Sequence, residues 1–399
     1  MFVGIDWAKD AHEVCTVDAS GKVVERFTVE HSRAGFDELV RKLNRIARVD
    51  AVAVGIERPE GRLVDRILEA GHPIVLIPTF AMKALRRRYA VAGAKSDRGD
   101  SYVIADVVRT DGHRLRRLEP LSDRTKALRA VVRTRDDLVS QRLRLTNQLA
   151  ATLDSFWPGA ARLFRRLDSR VALAFLDRYP TPLSAARLGE ARMASFLRGA
   201  GYTGRRSAAE LLERLRSAPA GSVGVEADAR GVCVRAMVHT LRSVVDSIKA
   251  VEREIVTRLG EHPDAVVFSS LPRSGQINAA QMLAEWGDCR EAYASPDAVA
   301  MLAGVCPVTH ASGKHRGVRF RWACNKRLRA AINTFAANSR FDSPWAARIY
   351  DEARARGCSH PHALRVLGRA WIRVIWRCWQ DRVPYDPAKH GAGNERAVA

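Results

Sequence analysis

Residues 51–57 of the chain read AVAVGIE, an apolar run that ends at a carboxylate. A continuous apolar run of this length predicts a strand that is buried on both faces, as in the centre of a parallel sheet. Glu57 follows the run directly, so its side chain is expected at the carboxyl end of that strand. The N-terminal part of the chain is therefore organised around one buried strand with an acidic residue at its end.

The segments around this strand complete an α/β pattern. Gly21 predicts a hairpin turn between two alternating segments, Ser32 precedes an amphipathic helix, and Gly71 and Pro78 end the next helix and strand. The full order is three strands, helix, strand, helix, strand, helix. This order is typical of a ribonuclease-H-like domain, in which an antiparallel meander is followed by parallel strands and crossover helices. In addition to the central strand, strands are predicted at residues 2–5, 13–17, 22–29 and 74–77, and helices at residues 32–46 and 63–68.

The rest of the chain is predicted to be helical. Residues 122–157 contain no Gly or Pro, and residues 226–260 carry one long apolar stripe, so both predict long helices that pair as an antiparallel coiled-coil arm. Short helical pieces are expected in the insert between them, at about 159–225. The predicted division is α/β plus α: a ribonuclease-H-like domain at 1–118, the arm with its insert at 119–262, a mostly helical domain at 263–386 and a disordered tail at 387–399.

Charge indicates the kind of partner. The chain has 66 Lys and Arg against 44 Asp and Glu, a formal net charge of +22. Such an excess on a chain without a long apolar segment usually indicates a polyanion, with nucleic acid as the first expectation and a membrane surface as the weaker alternative. No apolar run approaches the roughly 18 residues that a membrane span requires, and the first residues do not form a signal peptide. A cytoplasmic protein that acts at the nucleoid is expected.

The cysteines exclude two further classes. All seven are scattered and none forms a Cys-x-x-Cys pair, which argues against a disulfide framework and a structural zinc site.

Four carboxylates of the first domain form the first candidate site. Asp6 ends the first predicted strand and Glu57 the central one, while Asp97 and Asp100 lie three residues apart at a helix start. In a ribonuclease-H-like sheet the two strand ends are neighbours, and the later helix brings the Asp pair over them. Clustered carboxylates require a cation, and their oxygens select Mg²⁺ or Mn²⁺. Taken singly, each residue could equally be a surface or helix-terminus charge.

A serine among cations forms the second candidate site. Ser312 precedes a flexible glycine and has basic side chains on both sides, so it could attack a phosphodiester whose developing charge the cations stabilise. The alternative is a serine that only hydrogen-bonds to a phosphate. The expected nucleic-acid-binding residues are Lys314, His315, Arg316, Arg319, Arg321, Asn325, Lys326, Arg327 and Arg329.

Together these motifs resemble those of the insertion-sequence-110 family, the DEDD transposases described as bridge-RNA-guided recombinases. The N-terminal part of the resemblance lies in residues 4–9 (GIDWAK), 55–57 (GIE) and 95–100 (KSDRGD). The C-terminal part lies in residues 271–275 (LPRSG), 283–288 (LAEWGD), 302–304 (LAG), 312–313 (SG) and 325–329 (NKRLR).

The resemblance implies a specific activity. Asp6, Glu57, Asp97 and Asp100 would be the metal-binding tetrad, and Ser312 the nucleophile that forms a transient phosphoserine link to DNA. It also implies active sites built from two protomers of a dimer or tetramer, and a noncoding bridge RNA that selects donor and target DNA.

The chain departs from the family pattern in two places. The usual Pro-Gly-x-Gly turn is PRSG at 272–275, which makes Ser274 a second candidate nucleophile. Residues 319–324 (RFRWAC) replace a stretch that usually carries Lys-x-Gly.

Three other functions remain open from the residues. The first is a metal-only endonuclease with water as the nucleophile, and the second is a nucleic-acid-binding protein without catalysis. The third, an actin-like sugar or acetate kinase, would need Gly-rich nucleotide loops that the sequence lacks, and a net charge of +22 suits it poorly.

Overall fold

The computed structural model describes residues 1–46, 48–89, 96–115, 117–313 and 315–392, without the side chains of residues 50, 80, 315, 316 and 390–392. The chain forms two compact units. The first comprises Met1–Ser122 and Asp288–Ala298, and the second comprises Asp123–Gly287 and Val299–Ala399. In the described part of the chain, no helix is both long and apolar enough to cross a membrane.

A six-stranded mixed sheet forms the centre of the first unit. Its spatial order is β3-β2-β1-β4-β5-β6. The pairs β1–β2 and β2–β3 are antiparallel, while β1–β4 and β4–β5 are parallel, so the predicted meander followed by parallel strands is confirmed. The short β6, antiparallel to β5, was not predicted. The strands are β1 (Phe2–Asp6), β2 (Ala11–Val17), β3 (Val23–Glu30), β4 (Ala53–Ile56), β5 (Ile74–Leu76) and β6 (Arg117–Leu118).

Helices cover both faces of this sheet. Ile5 and Ile56 point to one face, where they share a hydrophobic core with α1 and α2. The other face packs against α3 and α4, through a core that contains Met82 and Ile104. Burial on both faces explains why β4 is entirely apolar. The strand is shorter than predicted, because the exposed Ala51 belongs to a 3-10 turn that precedes it. The helices are α1 (Arg33–Ile46), α2 (Arg62–Glu69), α3 (Thr79–Tyr89) and α4 (Asp97–Asp111).

Two long helices dominate the second unit, α5 (Asp123–Phe156) and α10 (Val225–Gly260). They pack antiparallel: Thr125 at the start of α5 bonds to His262 beyond the end of α10, at 2.9 Å. Both predicted long helices are thus confirmed. The insert contains the expected short helices, which form one core with the adjoining ends of α5 and α10. They are α6 (Pro158–Leu163), α7 (Arg170–Arg178), α8 (Glu190–Gly199) and α9 (Ala208–Arg216).

The C-terminal part adds a helical group and one hairpin. Trp286, Trp371 and Trp379 are fully or almost fully buried there. Strands β7 (Val308–Ser312) and β8 (His315–Arg319) pair antiparallel where the sequence predicted only helices and loops. The helices are α11 (Ala265–Ser269), α12 (Gln276–Trp286), α13 (Pro296–Leu302), α14 (Lys326–Ser339), α15 (Pro344–Ala355), α16 (His360–Asp381) and α17 (Pro387–Ala392).

The C-terminal tail differs from its prediction. Residues Pro387–Ala392 form α17, whereas the sequence predicted disorder from 387 onward. Residues 393–399 lie outside the described residues.

Candidate active site and nucleic-acid interface

Two of the candidate carboxylates lie side by side at one edge of the sheet. Asp6 is the last residue of β1, and Glu57 directly follows β4. These strands are parallel neighbours in which Ile5 pairs with Ile56, so the next residue of each chain segment leaves the sheet at the same edge. Both side chains are half-buried.

The start of α4 brings a third carboxylate to this edge. Asp100 lies in the first turn of α4 and is only 2% exposed. The helix can approach the sheet because Gly4 and Gly55 face it: a Cβ on Gly4 would collide with the backbone of Ser101, and one on Gly55 would lie 2.6 Å from the side chain of Ile104. This close approach holds Asp100 against the sheet.

Arg86 of α3 is the cation on which the three carboxylates converge. Its guanidinium donates two hydrogen bonds to Asp100, from Nε at 2.5 Å and from Nη2 at 2.7 Å. These bonds are the main reason that the pKa of Arg86 is raised, and the negative charges of Glu57 and Asp6 raise it further. Arg86 was not predicted from the sequence, where its one signal is the run of three arginines at 86–88.

Asp97 occupies a different position. It is exposed and lines a cleft with Glu13, Arg26, Thr28 and Arg98. Among the residues that the structure describes, no three His, Cys, Asp or Glu side chains stand in an arrangement that could hold a metal ion. Asp6, Glu57 and Asp100 all act on the charge of Arg86, whereas Asp97 lines the exposed cleft that contains Glu13.

The donor set nevertheless fits a hard divalent cation. Asp100 binds Arg86 directly, the negative charges of Glu57 and Asp6 also raise the pKa of Arg86, and carboxylate oxygens are the ligands that Mg²⁺ and Mn²⁺ prefer. Asp6, Glu57 and Asp100 could hold such an ion once Asp100 is released from Arg86.

Ser312 lies at the end of the exposed hairpin in the second unit. It is the last residue of β7, is paired in register with His315, and is followed by Gly313 with φ of +55°. His310, two residues earlier in the strand, projects to the same side. Lys314 lies outside the described residues, as do the side chains of His315 and Arg316. The alternative nucleophile Ser274 is buried, with 4% of its surface exposed.

A cleft of about 490 Å³ near the base of the hairpin is rich in arginine. It has no Asp or Glu among its lining residues, and burial together with the charge of Arg329 lowers the pKa of Arg365. Such a site favours a polyanion. The basic residues that α16 contributes were not predicted from the sequence, although they recur at helical spacing on one face. The basic lining residues are Arg319, Arg321, His362, Arg365, Arg369 and Arg373.

Three of the predicted nucleic-acid-binding residues have partners within the fold. Asn325 caps α14, accepting from the backbone N–H of Arg327 at 3.0 Å, and donates to Glu285 at 2.7 Å. The Arg327 side chain pairs with Asp137 at 2.8 Å. The Arg329 guanidinium donates to the carbonyl of Arg321 at 2.6 Å. Contacts of these three residues with nucleic acid stay a prediction, as do those of the exposed Arg319 and Lys326.

Comparison with known proteins gives consistent matches over most of the chain. Residues 3–158 match the family model of IS110-type DEDD transposases, described as a transposase, and residues 265–351 match the model described as a transposase of the IS116/IS110/IS902 family. A putative transposase of the mini-circle IS117 from Streptomyces coelicolor is 30% identical over 409 residues, covering 100% of this chain and 98% of the relative. An uncharacterized 42 kDa protein of the insertion element IS900 from Mycobacterium paratuberculosis is 28% identical, covering 97% and 98%.

Proposed function

This chain belongs to the IS116/IS110/IS902 family of transposases, enzymes that cut and rejoin DNA, and we propose that Ser312 is the nucleophile with which it does so. The observation that carries the proposal is the position of Ser312, an exposed serine at the end of a basic hairpin whose base adjoins an arginine-lined cleft. A nucleophile must reach the scissile phosphate, and Ser312 is exposed whereas only 4% of the surface of Ser274 is.

The proposed step is a direct exchange of phosphate esters. The Ser312 Oγ attacks phosphorus, an Oγ–P bond forms as one backbone P–O bond breaks, and the released strand end takes up the proton as a hydroxyl. Guanidinium groups such as those of Arg319 and Arg321 would stabilise the charge that develops on the phosphate oxygens. Attack on the phosphoserine by the hydroxyl of another strand reverses the step, so the DNA is rejoined without an external energy source.

The metal ion is proposed to be held by the tetrad Asp6, Glu57, Asp97 and Asp100. When bound, Mg²⁺ or Mn²⁺ would stabilise negative charge at the reacting phosphate. The convergence of Asp6, Glu57 and Asp100 supports this assignment, whereas Asp97 would have to move toward them. The strand order of the sheet supports a ribonuclease-H-like, RuvC-like identity for this domain.

Two further parts of the proposal come from the family resemblance. A noncoding bridge RNA would select the donor and target DNA, and the active site would be completed by two protomers of a dimer or tetramer. We also propose that residues 119–262 act as the arm and residues 263–386 as the transposase domain.

A covalent-adduct assay tests the nucleophile. The protein is incubated with Mg²⁺, transcript from the flank of its own element and DNA that spans the element junction, and a denaturant-resistant protein–DNA species is sought. We expect the adduct in the wild type and in Ser274→Ala, and its loss in Ser312→Ala. Nicked DNA without any adduct would contradict the proposal and indicate an endonuclease that uses water.

A further inference from the structure

The segment between β8 and α14 presents an aromatic side chain to solvent. Trp322 is 77% exposed, although tryptophan is usually well buried. It lies next to the arginine-lined cleft, because Phe320 and Arg321 are among the residues that line that cleft. We propose that Trp322 is a stacking platform for one unpaired base of a DNA strand whose phosphates follow the cleft.

The indole of Trp322 has an open surface for a base. Its only ring partner among the described residues is Phe320, at 4.8 Å between ring centroids and an interplanar angle of 81°. In a perpendicular contact the single Phe320 ring can cover at most one face of the indole, so the other face is open to a base, in agreement with the 77% exposure of Trp322. An uncovered indole face can accept any base, because every base has a π-face.

Hydrogen bonds and ring contacts of arginine side chains hold the loop that carries Trp322 in place. The Arg329 guanidinium donates to the carbonyl of Arg321 at 2.6 Å and to that of Trp322 at 3.4 Å. Arg329 and Arg365 also stack on the Phe320 ring, at 4.5 Å and 4.8 Å from its centroid. Trp322 is therefore displayed on a backbone that is already ordered, which lowers the entropic cost of binding.

The surrounding charge selects the partner. Arg319 and Arg321 alternate with Phe320 and Trp322 along the chain, and the adjacent cleft has no acidic lining residue. An arginine track combined with an exposed aromatic ring is typical of proteins that bind single-stranded nucleic acid. In a duplex the bases are stacked within the helix, so a base that reaches Trp322 must be unpaired. Cutting and exchanging DNA strands generates such bases, so the inference depends on the family's action on DNA but not on Ser312.

Fluorescence quenching of 2-aminopurine tests the stacking directly. An oligonucleotide with this base is titrated with protein, as a single strand and as a perfect duplex, in EDTA so that no cleavage occurs. We expect strong quenching with the wild type and the single strand. Trp322→Ala should lose the quenching and weaken single-strand binding by about 5- to 100-fold. Trp322→Phe should keep most of both, since a phenyl ring also stacks.

The controls separate stacking from charge and from folding. Phe341→Ala removes an aromatic residue of the same unit that is 63% exposed, and it should change neither quenching nor affinity. The salt dependence of binding should be the same for Trp322→Ala and wild type, because no phosphate contact is removed. Duplex affinity should stay within about twofold.

Four results would overturn the inference. The first is quenching by Trp322→Ala as strong as that by the wild type, and the second is an equal loss of affinity for the single strand and the duplex. The third is a loss of affinity in Trp322→Phe equal to that in Trp322→Ala. The fourth, measured with RNA oligonucleotides of the same sequence, is a loss of affinity for RNA but not for DNA. Each can be read whether or not Ser312 forms a covalent adduct, so failure of the stacking inference and failure of the proposed nucleophile are distinguishable.

Discussion

At the scale of single residues, the ion pair between Arg86 and Asp100 controls the carboxylate cluster. Asp6, Glu57 and Asp100 repel one another unless a cation lies among them, and Arg86 supplies that charge in the present arrangement. A divalent ion bound by the same oxygens would take over this role. On the proposed metal site, Arg86 and the ion would compete for Asp100, and the cluster would have two alternative states.

The competition predicts how Arg86→Met changes stability. Without metal, the variant should be less stable by roughly 2–3 kcal/mol, somewhat below the ~3–5 kcal/mol for breaking a fully buried pair, because the Arg86 side chain is 22% exposed. Added Mg²⁺ should raise the thermal midpoint of the variant more than that of the wild type, since metal replaces the lost charge.

Thermal unfolding with and without Mg²⁺ measures this effect. Arg87→Met removes a neighbouring exposed arginine and should respond to Mg²⁺ as the wild type does. Equal responses of all three proteins would show that Arg86 and the metal do not share a site.

The buried His12 makes the stability of the first unit depend on pH, since none of its surface is exposed. Burial, and secondarily the charge of His31, lowers its pKa to about 4. Because this folded-state pKa lies below the unfolded value near ~6.5, the unfolded chain binds a proton first as the pH falls. The stability that neutral His12 provides is fully present above pH ~6.5 and is lost progressively toward pH ~4.

Urea unfolding between pH 7.5 and 4.5 should reveal this loss. We expect His12→Leu to reduce the pH dependence by up to about 1.4 kcal/mol per pH unit, the value for one proton, whatever its effect at neutral pH. The exposed His310→Gln serves as the control and should leave the slope unchanged. An unchanged slope in His12→Leu would show that another group causes the acid sensitivity.

At the scale of elements, the contact of α4 with the sheet determines where Asp100 lies. This contact requires glycine at Gly4 and Gly55, where any side chain would meet α4. Gly55→Ala should therefore cost about 1–3 kcal/mol, as overpacking usually does, and Gly4→Ala more, because backbone atoms cannot move aside. Denaturant unfolding measures both. Gly112→Ala lies at the end of the same helix, where a Cβ would make an ordinary 3.6 Å contact, and should be nearly neutral.

Elements whose residues are buried in a regular pattern were predictable, and those outside such a pattern were not. The apolar run at residues 51–56 predicted the central strand and the position of Glu57 at its end, because a strand that is buried on both faces is apolar throughout. The hairpin of β7 and β8 was missed because its residues are mostly exposed and show no alternation. Arg86 was missed because its partners come from packing between α3 and α4, which sequence spacing does not record. The spacing of Asp97 and Asp100 suggested one shared site, but Asp97 lines an exposed cleft whereas Asp100 is buried against Arg86.

At the scale of the whole molecule, the net charge of +22 predicted a polyanionic partner but could not indicate which arginines bind it. Many arginines are already paired with carboxylates. Arg162, Arg230 and Arg377, for example, pair with Asp154, Glu226 and Asp381. The cleft beside the hairpin differs because its arginines lie together without an acidic lining residue.

This difference predicts that two sets of substitutions with the same change in net charge will have unequal effects. The first set replaces Arg365, Arg369 and Arg373 of the cleft with Gln, and the second replaces Arg162, Arg230 and Arg377 with Gln. Each cleft arginine that contacts a phosphate should contribute about 0.9 to the slope of log affinity against log salt on duplex DNA, so the first set should lower that slope by up to ~3. The second set should lower it by less than one, since its arginines are held by carboxylates. Binding isotherms over a range of salt concentrations measure both slopes. Equal changes would mean that total charge, rather than the cleft, attracts the DNA.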